Sequence, residues 1–81
     1  MSTATRDVVA RKVIETLASF GPATEDVTPD ASLEELDIDS LDVAELAQVV
    51  EDEYGAQITG DDAANVTTVG DCIDLVLAKL P

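Results

Sequence analysis

An all-α fold is what this sequence predicts: a small four-helix bundle with three main helices, one short one, and a long loop between the first two. Three observations carry the prediction. Apolar residues recur at the 3-to-4 spacing of a helical face in three separate segments. Helix breakers or caps stand at the ends of those segments, at Gly21-Pro22, Gly55 and Thr68. No stretch alternates apolar and polar residues with the period of two that a half-buried strand shows.

The first helix is predicted over about Thr5 to Ser19. Val9, Val13, Leu17 and Phe20 make its apolar stripe, with Ala10 and Ile14 alongside, and Gly21-Pro22 stops it. A connection marked by Pro22, Pro29 and several Thr, Ser and Asp residues follows, roughly to Asp39. Loops of that length are uncommon in compact domains unless they are pinned or functional. Val27, Leu33, Leu36 and Ile38 are the residues able to pin this one.

The second helix is predicted from Ser40 to Tyr54. At about 100° per residue, Val43, Leu46, Ala47, Val50 and Tyr54 gather on a core face. Leu41, Ala44, Glu45, Gln48, Glu51 and Asp52 gather on the outer face, and Gly55 ends the helix as a C-terminal cap. Thr59 to Asn65 suggests a short helical turn or two. The last helix opens on the cap-like pair Thr68 and Asp71. Its apolar set is Val69, Cys72, Ile73, Val76, Leu77 and Leu80, and Lys79 in the final turn suits the negative end of the helix dipole. Cys72, between Val69 and Val76 on an apolar face, reads as a small core residue. Phe20 and Tyr54 read as core fillers.

Eighty-one residues bound the chain to a single domain, residues 1–81, with one small core. Hydrophobic residues at 46% against 27% charged are enough to fold, unlike a disordered acidic tail. The single cysteine excludes an intrachain disulfide, and the absence of histidine removes the usual general base and zinc ligand. Net charge is −14, and no Lys or Arg occurs between Lys12 and Lys79, an interval that holds seventeen of the eighteen acids. Such a surface repels nucleic acid and anionic membranes and attracts basic protein patches. No apolar run approaches the roughly 20 residues needed to span a bilayer, and no signal-peptide core opens the chain. Met1 to Ile14 has the Ser, Thr and basic residues of a transit peptide, but Val9, Val13 and Leu17 continue a packing stripe, so a structural helix is expected there. The expectation is an intact, monomeric, cytoplasmic protein.

Ser40 stands where an acidic loop turns into the second helix, fenced by Asp39 and Asp42. As a catalytic nucleophile it would need a base and oxyanion donors. No His exists, no Lys is near, and the flanking carboxylates repel a developing oxyanion; the G-x-S-x-G elbow is also missing. No catalytic residue is therefore expected. A calcium loop starting at Asp37 would need a ligand at its fifth position, Gly at its sixth and Glu at its twelfth; those positions hold Leu41, Asp42 and Gln48. Only weak, nonspecific divalent binding is left by that comparison, and no metal site is assigned. A plain helix cap would also explain Ser40, yet Asp39 can fill that role and leave the serine hydroxyl at the first helical position. A phosphodiester there would sit beside unpaired N–H groups at the positive end of the helix.

Asp39-Ser40-Leu41 resembles the prosthetic-group site of the acyl carrier proteins. Leu33-x-x-Leu36, Asp42, Glu45-Leu46, Glu51-Asp52-Glu53-Tyr54, Ile58, Val66-Thr67-Thr68-Val69 and Ile73-Asp74 match the same family in order and without a gap. The resemblance implies a non-enzymatic carrier. Ser40 would receive 4′-phosphopantetheine from coenzyme A through a phosphopantetheinyl transferase, and the arm's thiol would hold acyl intermediates as thioesters. It implies a docking surface of Asp39, Leu41, Asp42, Ala44, Glu45, Gln48, Glu51 and Asp52. The partners would be acyl- or ketosynthases, reductases and acyltransferases with basic patches, in fatty acid or polyketide synthesis. The inner helix faces would shelter the growing chain. Two positions depart from the family's usual pattern: Asp37 stands where Gly is frequent, and Gln48 where an apolar residue is frequent. Asp tolerates left-handed backbone better than most residues. The competing class is an acidic interaction module that binds basic partners without a prosthetic group.

Overall fold

The computed structural model describes residues 6–80. Four helices follow in order: α1 (Arg6–Ala18), α2 (Ser40–Tyr54), α3 (Gly60–Ala64) and α4 (Val69–Lys79), with a 3₁₀ turn at Thr24–Asp26 inside the long connection. The all-α expectation is borne out, and α2 covers its predicted span residue for residue. The expected start of the first helix at Thr5 lies outside the described residues. Among those described, no helix is long and apolar enough to cross a membrane.

α1 buries Val9, Val13 and Leu17, the stripe spaced by four, chiefly against α4. α2 contributes Val43, Leu46 and Val50, and α4 contributes Val69, Cys72, Ile73 and Val76. The connection adds Val27, Leu33 and Ile38, with Leu36 half-buried beside them, as a pinned loop requires. No polar or charged side chain is buried among the described residues. Each fully buried Val, Leu or Ile stabilises by roughly 1.5–3 kcal/mol, against about 0–1 kcal/mol for an exposed ion pair. The core therefore holds the fold, and the ion pairs adjust it.

Three predicted core residues sit at its margin instead. Tyr54 and Phe20 are half-buried and pack against the core rather than within it, and half-buried Ala47 lines a groove toward α3. Partial burial, with Glu53 and Glu15 nearby, raises the Tyr54 hydroxyl above its ordinary value. Cys72 is buried as expected, and desolvation followed by the charge of Asp71 pushes its thiol up to about 11. It stays protonated at neutral pH and packs as a small hydrophobe.

The long connection is tied down by backbone bonds that the sequence did not announce. The Leu33 N–H donates to the Thr67 carbonyl (2.9 Å), Val69 N–H to Ala31 (3.0 Å) and Gly70 N–H to Pro29 (2.9 Å), around a lone antiparallel bridge between Ser32 and Thr68. Gly70 permits this approach, since a Cβ there would stand 3.0 Å from the Pro29 carbonyl oxygen. The same corner is the capped start of α4. The Thr68 hydroxyl accepts the Asp71 N–H at 3.1 Å, while the Asp71 carboxylate accepts the N–H groups of Thr67 (3.0 Å) and Thr68 (3.1 Å).

Those N–H bonds, Thr67 first, hold the Asp71 carboxyl below its ordinary value. A folded value below the unfolded one means stability that is present above the unfolded carboxylate range, near pH 4, and lost as pH falls through the folded value. Asp71→Asn is expected to lower Tm at pH 7 by a few degrees relative to Glu34→Gln, which removes an equal charge from an exposed loop residue. The gap closes as thermal melts are moved down to pH 3. A gap that stays constant across that range contradicts the assignment.

Candidate functional site

The approach to Ser40 is a tight turn with both ends anchored. Leu33 and Ile38 are buried, and the Ile38 N–H donates back to the Leu33 carbonyl at 2.9 Å. Between them the chain must reverse, and Asp37 does so at φ 58°, the one non-glycine residue with positive φ among those described. The departure from glycine at this position is thus accommodated by a residue type that tolerates the left-handed region. Ser32 closes the turn's other side: its hydroxyl donates to Glu35 Oε1 (2.9 Å) and accepts the Glu35 N–H (3.0 Å).

Ile38 dives into the core, and the next two residues emerge at the head of α2. Asp39 is the N-cap, in extended conformation. Its Oδ1 accepts the N–H groups of both Leu41 (3.0 Å) and Asp42 (3.1 Å), and Asp42 Oδ2 returns to the Asp39 N–H at 3.4 Å. This reciprocal box satisfies the helix start without the serine. Ser40, the first helical residue, is exposed, and its hydroxyl makes no hydrogen bond to any described residue.

One expectation needs correcting. The N–H groups of Leu41 and Asp42 are not left for an incoming phosphate, because the Asp39 carboxylate already holds them. Helix-dipole attraction and carboxylate repulsion oppose each other at Ser40, so the head of α2 is not a preformed phosphate-binding pocket.

The predicted outer face lies on one side of α2 but divides in two. Leu41, 74% exposed, stands beside exposed Glu45, with Asp52 exposed further along and Asp39 and half-buried Asp42 at the head. Ala44, Gln48 and Glu51 instead form one wall of a groove of about 150 Å³, whose other wall is Ile58, Thr59, Gly60 and Ala63. This groove was not read from the sequence. The signal for it was the small residues Ala44 and Ala47 on α2 facing Gly60 and Ala63 on α3. The inner faces of α1, α2 and α4 are filled by their own side chains. Among the described residues, no three or more His, Cys, Asp or Glu converge as they would around a metal ion.

Comparison with known proteins bears on this geometry. A family profile described as "Phosphopantetheine attachment site" matches residues 10–76. An acyl carrier protein from Nitratidesulfovibrio vulgaris (strain DP4) is 41% identical over 70 residues, covering 85% of this chain and 90% of that protein. The meromycolate extension acyl carrier protein of Mycolicibacterium aurum is 37% identical over 76 residues, covering 90% of this chain and 76% of that one. The crystal structure of an acyl carrier protein from Thermotoga maritima superposes with a TM-score of 0.78 at 29% identity, covering 98% of this chain and 94% of that chain.

The turn at Asp37 sets the exit of the chain toward Ser40, and its backbone can be tested directly. Asp37→Val, a β-branched residue forced to positive φ, is expected to cost about 1–2 kcal/mol. Asp37→Gly changes stability by no more than about 1 kcal/mol, because relief of the left-handed conformation is offset by a freer unfolded chain. Urea melts of the two variants measure the difference, and equal stabilities would show that the turn does not constrain this residue.

Proposed function

The chain belongs to the acyl carrier protein family, and from that premise we propose that Ser40 carries its 4′-phosphopantetheine. The role that comes with the family is the transport of acyl intermediates in fatty acid or polyketide synthesis, in contact with the biosynthetic enzymes and a phosphopantetheinyl transferase. The bound group supplies a terminal thiol on which acyl groups ride as thioesters. The observation that carries the assignment to Ser40 is its unengaged, exposed hydroxyl beside a helix cap completed by Asp39 and Asp42. A serine needed for capping would have to give up that hydrogen bond on modification; this one gives up nothing.

Ser40 itself is non-catalytic in this reading. The chain has no histidine, and no lysine or arginine lies between Lys12 and Lys79 to serve as a base or to stabilise an oxyanion near it. What α2 offers is a docking face of Asp39, Leu41, Asp42, Ala44, Glu45, Gln48, Glu51 and Asp52. Its support is electrostatic. Three cations are engaged elsewhere, in the pairs Arg6–Asp74, Lys12–Glu53 and Lys79–Asp62, and none of these reaches a carboxylate of that face. The uncompensated charge suits basic patches on synthases, reductases and acyltransferases, and exposed Leu41 adds an apolar contact at the centre of the approach to Ser40. One carrier domain over residues 1–81, acting as a monomer in the cytoplasm, completes the proposal. Its support is the single continuous core and the chemistry of a free thiol, which persists in a reducing compartment. The rival reading, an acidic module without a prosthetic group, does not account for a match to the phosphopantetheine attachment family over most of the chain.

Incubation with coenzyme A, magnesium and a broad-specificity phosphopantetheinyl transferase is expected to add one phosphopantetheine mass to the wild type and none to Ser40→Ala. Because Asp39 caps the helix, Ser40→Ala should hold its stability to within about 0.5 kcal/mol, so a lost modification reports lost chemistry. An unmodified wild type, or a modified Ser40→Ala, overturns the assignment. The docking face has its own measurement: Glu45→Lys should slow association with the transferase several-fold at low salt, with a smaller effect on dissociation. On-rates equal to wild type would place docking on another surface.

A further inference from the structure

α3 is the least anchored helix of the bundle. It spans five residues, Gly60–Ala64, and buries no side chain fully. An open groove lies on each flank: one of about 150 Å³ toward α2, and one of about 380 Å³ toward α4, lined by Asp62, Asn65, Val66, Asp71, Asp74 and Leu75. Among the hydrogen bonds and ion pairs of the described residues, a single interaction ties α3 to another helix. Lys79 Nζ in the last turn of α4 stands 3.1 Å from Asp62 Oδ2. That same oxygen accepts the Thr59 N–H at 3.2 Å, closing the capping box of α3, while the Asp62 N–H donates to the Thr59 hydroxyl at 3.1 Å. One carboxylate oxygen therefore joins the α3 cap to the end of α4. Lys79 is also the sole cation of the chain after Lys12. With seventeen acids in the intervening segment, its placement against the capping acid of α3 is selective.

We propose that Lys79 is a positioning residue, a latch that holds α3 against α4 and sets how often α3 leaves the bundle. α3 is also one wall of the groove toward α2, whose other wall begins at Ala44, one helical turn beyond Ser40, so its departure widens the opening nearest the proposed attachment point. That consequence rests on the function proposed above; the latch itself does not. The pair is partly exposed, with side-chain accessibilities of 38% for Lys79 and 26% for Asp62. An interaction of this kind shifts an equilibrium by no more than about five-fold, which suits a gate better than a lock. The lower-stability element of a fold is where such opening is expected.

The test is millisecond hydrogen exchange on the unmodified protein, read at the amides of residues 60–66. Lys79→Gln should raise exchange there about two- to five-fold, while amides inside α1 and α4, such as those of Val13 and Val76, keep their wild-type rates. Lys79→Arg should restore protection. Lys12→Gln, which removes a cation paired to Glu53 instead, should leave α3 unchanged. Equal exchange in Lys79→Gln and wild type overturns the latch. So does a uniform rise through all helices, or an α3 already unprotected in the wild type. The measurement needs no prosthetic group, so loss of the Ser40 assignment and loss of the latch are separate results.

Discussion

The Asp39 carboxylate at the head of α2 is the interaction on which the site depends. One oxygen takes the N–H groups of Leu41 and Asp42, and its residue's own N–H is held by Asp42. Removing an N-cap of this type costs about 0.5–2 kcal/mol, but its larger effect is positional. The helix starts at a fixed residue, and the serine next in line has no capping duty. The turn at Asp37 and the burial of Ile38 serve the same end from the other side, delivering the chain to that cap from a rigid base. The three acids Asp37, Asp39 and Asp42 thus have distinct tasks: reversing the chain, capping the helix, and closing the cap.

Charge is distributed with a similar division of roles. A chain with four basic residues and eighteen acidic ones cannot neutralise itself. Three of the four cations span helix pairs, α1 to α4, α1 to α2 and α3 to α4. They act as ties between elements and leave the outer face of α2 bare of positive charge. A surface of this kind works at a distance of about a Debye length, roughly 8–10 Å, and speeds encounter more than it prolongs contact. Repeated exchange among several enzymes needs that balance, since a large apolar interface would dissociate slowly.

What the sequence disclosed was local in origin. The ends of α2 were legible because both stop signals, Asp39 and Gly55, act within one turn of their own residues, and Gly55 takes φ 74° as a C-terminal cap should. The box at Thr68 and Asp71 was legible for the same reason. The free hydroxyl of Ser40 was legible because capping chemistry assigns Asp39 a role that the serine then need not fill. Interactions between distant segments left no such mark. The bonds of Leu33 to Thr67 and of Gly70 to Pro29 run between backbone groups, and any donor residue but proline could have supplied them except where Gly70 must stay small. The marginal burial of Phe20, Ala47 and Tyr54 depended on how helices cross, which periodicity alone does not determine. The expected free N–H groups of Leu41 and Asp42 beside Ser40 failed on stoichiometry: one carboxylate oxygen accepted both donors.

The energetics of the two halves of the molecule follow from their side chains. α1, α2 and α4 share a core of buried Val, Leu and Ile, in which each residue contributes a few kcal/mol, and local opening there approaches the cost of global unfolding. α3 has only half-buried Ala63 and neighbours Ile58 and Val66 to hold it, plus one partly exposed ion pair. Its free energy of detachment must therefore be far smaller than that of any other helix. The core-held part contains Ser40 and the proposed docking face, while α3 forms one wall of the groove beside them. A carrier needs this separation. On the proposed docking, recognition demands that α2 keep one shape for every partner, while α3 can yield beside it without disturbing α2. Holding α3 by a few half-buried apolar contacts and one ion pair, and α2 by the buried core, lets both conditions hold in a single small domain.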